Sequence, residues 1–474
     1  MKVDRDPNTA AHSEASIATA DLTRPNVAFT YKQRREHGRA ARKKTPRGSH
    51  AAWAPLPDRP DPVDLLEAQA KNRQPDLAPI RYARMTPSPF AFMRGAAIVM
   101  GHDLASTPRS DIQAQLCGDC HLLNFGVYAS PERALLFDVN DFDETLPGPW
   151  EWDVKRLATS LVVAGRENGF DAADCRKAAR TSAASYRKRM AEFSEMRELE
   201  VWYSHVRAEE VLALSTSSRT TKKAKKNLKK ARGRDNLHAL SKLTRVVDGC
   251  RIIVDDPPLL VRVVEDELRE QTCESLQKYR RTLQDDRRYL LDRYRFVDVA
   301  RKVVGVGSVG TRDYVVLLEG RDDDDPLFLQ VKEAEASVLE NYLPRSTYTN
   351  QGQRVVAGQR LMQATSDIFL GWLRGKAGRD YYWRQLRDMK GSAKIERMSS
   401  DELVLYAGIC GWALARAHAR SGDRVQIAAY LGKSERFDGA MVDFAEAYAD
   451  QTELDHAALC TAVKSGKVAG DVGA

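Results

Sequence analysis

The stretch LCGDCHLLNFG (116–126) gathers two thiols, a carboxylate, an imidazole and a carboxamide. Three chemistries could use them. Cys117-x-x-Cys120-His121 has the form that attaches a c-type haem, and Cys117 and Cys120 have the spacing of a redox pair. Asp119 and Asn124, five residues apart, offer the base and the oxygen ligand that phosphoryl transfer needs, with the cysteines as mere neighbours. Haem is attached outside the cytoplasm, and the N-terminal MKVDRDPNTAAHSEASIATADL has no apolar signal core. Seven cysteines, an odd number scattered along the chain, fit reduced thiols rather than a disulfide framework. A redox C-x-x-C would open a helix after a strand. Zinc would need a second ligand pair at matching spacing, and the sequence has none. The expectation is a cytoplasmic protein with an oxygen-ligand site.

Such a site needs further carboxylates. NFGVYASPERALLFDVNDFDE reads as a β-hairpin delivering Asp138, Asp141, Asp143 and Glu144, ligand types that suit Mg²⁺. Far downstream lies Gly305-x-Gly307-Ser308-x-Gly310. A dinucleotide-binding turn would be followed by a helix. Here TRDYVVLLEG follows, rich in β-branched and aromatic residues, and so a strand. Strand–glycines–strand fits instead a lid that lays backbone N–H groups over phosphates, the plainer alternative being a glycine-rich turn in an ordinary antiparallel sheet with a solvent-facing lysine. Lys332, 22 residues after Gly310, falls on the next strand, and a helix expected directly after it carries Glu335 and Glu340, either one placed to orient the lysine.

Gly118-Asp119-x-x-x-x-Asn124, Asp141-Phe142-Asp143 and Glu151-Trp-Asp153-x-x-Arg-Leu-Ala together resemble the aminoglycoside-phosphotransferase branch of the protein-kinase-like superfamily. The twelve residues from Asp141 to Asp153 match that branch and favour Asp141 as metal ligand, with Asp138 and Asp143 in reserve. From about residue 35 the chain also resembles an uncharacterised bacterial family known by a domain-of-unknown-function label, through RYARMTPSPFAFMRG, GDCHLLNFG, NDFDETLPGPWEWDVKRLA and LARAHARSGD. The resemblance implies an ATP- and Mg²⁺-dependent phosphotransferase. Asp119 would be the catalytic base or positioning group, and Asn124 and Asp141 the metal ligands. Gly305, Gly307, Ser308, Gly310 and Lys332 would hold the nucleotide. The acceptor, a small molecule or a protein, stays open, as do a nucleotidyl transferase or an inactive nucleotide binder on the same fold. Two departures stand out: Cys117 replaces the branch's histidine, and the glycine lid follows the catalytic loop by about 180 residues instead of preceding it. A circular permutation reconciles the order. Lys332 and the lid should then face Asp119 and Asp141 across one cleft. A rival loop, AHARSGD (417–423) with MVDFAEA (441–447), has Ala428 where an asparagine is needed and a helical, alanine-rich second half.

The elements around these residues give an α+β class with two lobes. Residues 1–50 read as a basic, flexible arm. Residues 51–300 read as a mainly helical large lobe, 301–390 as a small antiparallel-sheet lobe, and 391–474 as helices completing the large lobe. DPVDLLEAQAKNR reads as a helix with Asp61 as N-cap, and SPFAFMRGAAIVMGHDLA (88–105) as one buried helix. EWDVKRLATSLVVAGRENG reads as an amphipathic helix ending at Gly169, with long helices on to about 295. No apolar run approaches the ~18 residues of a membrane span. The net charge of +8 concentrates in RREHGRAARKKTPRG (34–48) and TKKAKKNLKKARGR (221–234). Such runs can bind nucleic acid, which makes a nucleic-acid or protein-binding module the alternative from another class. Without interleaved aromatics for stacking they read as a solvated tail and helix face. Arg81, Arg84 and Arg94 read as structural ion pairs, with an acidic or phosphorylated substrate as the other use.

Overall fold

A computed structural model describes residues 28–213, 218–233, 236–386 and 389–470. The chain is a mixed α+β protein. One hydrophobic core gathers the helices Glu151–Glu167, Ala172–Glu195, Ser400–Ser421 and Arg436–Lys464. A second and a third lie on the two faces of a six-stranded sheet.

That sheet is antiparallel throughout, with strand order 371–374, 380–385, 326–334, 313–319, 295–302, 260–262. Every residue of its central strand Pro326–Ala334 is buried, so alternation decides what each face holds. Leu327, Leu329 and Val331 point with Trp383 into an apolar layer with Tyr279 and Leu283. Phe328 points the opposite way, against Leu317 and Leu240. Lys332 shares the face of Phe328, and register places Asp313 and Tyr382 beside it on the flanking strands. One face therefore turns from apolar to ionic along its length.

The acidic hairpin forms as expected, Phe125–Ala129 pairing with Leu135–Val139. A separate ladder, Gln113–Leu116 with Leu146–Pro149, pairs Leu116 with Leu146 and so brings residues 117–119 against 143–145. Gly118 sits there at φ +83°, and a β-carbon on it would lie 2.2 Å from the carbonyl oxygen of Glu144. Only glycine meets both demands.

Asp61 caps the helix Pro62–Ala70 through Val63 N. Gly169 takes the left-handed turn after Glu151–Glu167, and the expected helices and strands from 351 to 464 are present. Other elements differ from expectation. Residues 1–27 of the expected arm lie outside the described residues, but Tyr31–Lys44 is a helix started by a Thr30–Gln33 capping box. Its Gly38 lets the backbone approach Gln426, and Arg34 pairs with Asp423. The segment 88–105 is two helices, Pro89–Gly95 and Ala97–Ala105, broken at Ala96. Helix Glu151–Glu167 is buried through Gly165 on every side instead of being amphipathic, because Glu151, Asp153 and Arg156 find hydrogen-bond partners inside and Lys155 lies over the Phe444 ring. Residues 244–262 hold three short strands, the last of which joins the six-stranded sheet, and the helices Asp266–Arg280 and Asp285–Leu291 pack on that sheet, which thus begins well before 301. After Lys332 comes a short 3₁₀ turn, Val338–Asn341, in place of a helix. No described helix is long and apolar enough to cross a membrane.

Candidate active site

The loop after Leu116 is fixed by the buried helix that follows it in the chain. Cys117 N and Gly118 N donate to the two oxygens of Asp153, at 2.8 and 3.1 Å, and His418 Nε2 lies 3.2 Å from the same carboxylate. This is the structural use of the Glu-Trp-Asp motif: a carboxylate in the first turn of a helix satisfies two buried amides of the loop. One turn on, Arg156 donates from Nε to Asp119 Oδ1 at 2.6 Å and from Nη2 to Met93 O. Asp119 Oδ2 is left toward the cleft, 3.7 Å from His121 Nε2. Burial raises the Asp119 pKa, and Arg156 opposes that. His121 Nδ1 accepts from Leu123 N, which puts the ring proton on Nε2, and burial keeps the imidazole neutral. Asn124 Nδ2 donates to Asp119 O at 2.6 Å, so its amide oxygen is the free end.

The acidic hairpin sorts its carboxylates. Asp138 is consumed inside the protein by Arg416 at 2.6 Å and by Val139 N and Ala364 N, so it is no reserve ligand. Among the described residues Asp141 accepts only a 3.3 Å bond from Asp143 N, and its pKa is raised by burial and by Asp143. Asp143 takes Lys332 Nζ, Ser308 Oγ at 3.1 Å and the Tyr382 hydroxyl at 2.5 Å. Burial would push Asp143 up, but Lys332 and these hydrogen bonds hold it below the usual carboxylate range. Lys332 stays charged despite burial because Asp143, Tyr382 and Asp141 surround it. Glu335 and Glu340, expected to orient the lysine, do not bond it; its partner is Asp143, 189 residues earlier. Two further carboxyls border the site, Asp313 buried and Glu144 half-buried. Asp313 and Glu144 are each pushed up to about 7 by burial, against the pull of Lys332 and Arg354 respectively.

The glycine loop is strapped from behind. Arg84 Nη1 holds Gly305 O at 2.7 Å, Arg73 Nη1 holds Gly307 O and Val309 O, and Gln74 N holds Gly310 O at 2.8 Å. Among the described residues, the amides of Val306, Gly307 and Ser308 have no hydrogen-bond acceptor. A cavity of about 860 Å³ is lined by Asp119, Asn124 and Asp141 on one wall and by Gly305, Gly307 and Ser308 on the other.

The structure thus brings together Asp119, Asn124, Asp141, Asp143, Gly305, Gly307, Ser308 and Lys332, while Asp138 is held by Arg416 and Gly310 faces Arg73 at the rear of the loop. Asp153, Arg156, Tyr382 and the strap Arg73 were missed as site-building residues; only the Asp153-x-x-Arg156 spacing offered a signal. Cys117, Cys120 and Asp153 come within 4.8 Å of one another, but the loop amides already occupy Asp153. Both thiols are buried to 1% exposure or less, which leaves no room for haem attachment. The rival loop is structural: Asp423 caps the helix Arg424–Leu431, and MVDFAEA lies inside Arg436–Lys464. Of the arginines in question, Arg81 is fully buried on Gln69 and Gly95, and Arg94 lines the cavity beside Asp119.

No curated protein and no solved structure matches the chain. A family model matches residues 73–462, most of the chain. The protein therefore belongs to the family described as "Uncharacterized protein conserved in bacteria (DUF2252)".

Proposed function

We propose that the protein is a kinase-like phosphotransferase, built on a circularly permuted chain, that uses ATP and Mg²⁺ to phosphorylate a hydroxyl acceptor. The observation that carries this reading is the meeting of Lys332 and Ser308 with Asp143 at the edge of the cavity that Asp119, Asn124 and Asp141 line. Under it, the helices and the hairpin form the large lobe and the six-stranded sheet the small one.

The donor set fits the metal. Asn124 presents its amide oxygen because its nitrogen is engaged, and Asp141 keeps an oxygen that no protein group uses. Asn124 and Asp141 would hold magnesium there, and it would supply charge neutralisation for a bound triphosphate. The unengaged amides at 306–308 form a concave donor surface for phosphate oxygens. Lys332, kept cationic, can exchange Asp143 for a phosphate. Asp119 has one oxygen locked by Arg156 and one directed at the cleft, the arrangement that orients an acceptor hydroxyl and receives its proton.

The test is a thermal-shift and calorimetric titration with ATP and Mg²⁺. Saturation at a hundredfold over Kd should stabilise the wild type by about 2.7 kcal/mol and leave Asp141→Ala and Lys332→Ala unmoved. No heat of binding in the wild type would remove the reading. Stabilisation by DNA or RNA in place of ATP would transfer it to the basic runs.

A further inference from the structure

A second cavity, of about 590 Å³, lies away from the cleft, between the C-terminal end of helix Tyr31–Lys44 and the start of helix Arg436–Lys464. Arg42, Lys43, Arg47 and Arg436 line it, and Asp443 is the one acidic lining residue. Asp443 is already engaged by Arg176 at 3.3 Å. Among the described residues, Arg42 and Arg436 have no hydrogen bond or ion pair, and Arg47 spends one nitrogen on Leu431 O. The cations are also crowded. Gly432 has φ +63°, and a β-carbon on it would lie 2.5 Å from Arg42 Nη1 and 3.0 Å from Arg47 Nη1. Burial and then the neighbouring Arg42 and Arg436 lower the Arg47 pKa, the sign of a positive site without a counter-charge.

Guanidinium groups gathered around a single carboxylate that is already paired store repulsion that an anion relieves, and their planar forks match phosphate oxygens. The cavity is concave and no aromatic side chain lines it, which disfavours stacked bases and an extended strand. We propose that it is a second ligand site, for a small anion bearing phosphate groups, held by Arg42, Arg47 and Arg436. It is independent of the cleft and of the phosphotransferase reading.

The test is calorimetric titration of the full chain with tripolyphosphate in EDTA at low ionic strength, so that no metal recruits the probe to the cleft. The wild type should bind. The pair Arg42→Ala, Arg436→Ala should lose about tenfold or more in affinity, and the cleft variant Lys332→Ala should lose none. Should the alanine pair unfold by circular dichroism, Arg42→Gln with Arg436→Gln reads the same loss while keeping most of the side-chain length. No heat in the wild type, equal affinity in the arginine variants, or loss in Lys332→Ala would overturn the site. Tighter binding of a short DNA duplex that displaces tripolyphosphate would overturn the small-ligand class.

Discussion

The two walls of the cleft are held in opposite ways. The wall carrying Asp119 and Asn124 is built from within: a buried aspartate binds the loop amides, a buried arginine fixes one carboxylate oxygen, and Gly118 passes against Glu144 with no space for a side chain. The wall carrying the glycine loop is held from outside, by arginines that grip its carbonyls and turn its amides inward. The first arrangement fixes geometry before anything binds. The second leaves a lid gripped by one buried arginine, Arg73, and one half-buried arginine, Arg84, and the Arg84 strap can be changed without disturbing a core.

The difference sets the size of each response. Asp153→Ala removes the acceptor for two buried amides and the partner of His418, and should cost about 3–5 kcal/mol, measured as a lower urea midpoint. A loss under ~1 kcal/mol would mean that the inner wall is not held as described.

Next in size is a pH response that draws one group from each wall. The Glu144 and Asp313 carboxyls titrate near 7 in the folded chain and near their ordinary lower values when unfolded. Both are thus raised, so their contribution is complete in acid, falls as pH rises from about 4 to 7, and levels off above that. Relative to wild type, Asp313→Asn should gain stability with rising pH across this window, by on the order of 2–4 kcal/mol in total. A pH-independent difference in chemical denaturation between the two proteins would contradict the burial assigned to that wall.

The smallest effect belongs to the lid. Arg84→Ala removes a half-buried strap on Gly305 and should change stability by less than ~1 kcal/mol. If the strap presets the loop amides, the ATP titration should still weaken measurably. Unchanged affinity would make the strap incidental.

The site was more legible than the elements that hold it. Asp119, Asn124, Asp141, the glycines and Lys332 carry fixed local spacings, and the proposed chemistry calls for those residue types. What the local pattern hid was set by distant contacts. Lys332 pairs with Asp143 because strand register and two packed cores bring them together, whereas Glu335 and Glu340 are only near in sequence. Helix Tyr31–Lys44 reads as a charged tail because it is stabilised by packing on Arg424–Leu431, where Gly38 permits the contact, and shows no long apolar stripe. Asp138 and Asp141 are indistinguishable by type. Only Arg416, on a helix near the far end of the chain, shows which one is spoken for.

The long reach of those two ion pairs constrains how the chain is born. On the ribosome the acidic hairpin emerges with Asp138 and Asp143 bare, and their arginine and lysine follow 278 and 189 residues later. At bacterial speeds of ~5–20 residues per second that wait is about 10–60 seconds. Until it ends the hairpin cannot be desolvated without stranding two charges, so the nascent front third must stay wet and open, and assembly of the cleft is a late, whole-chain event.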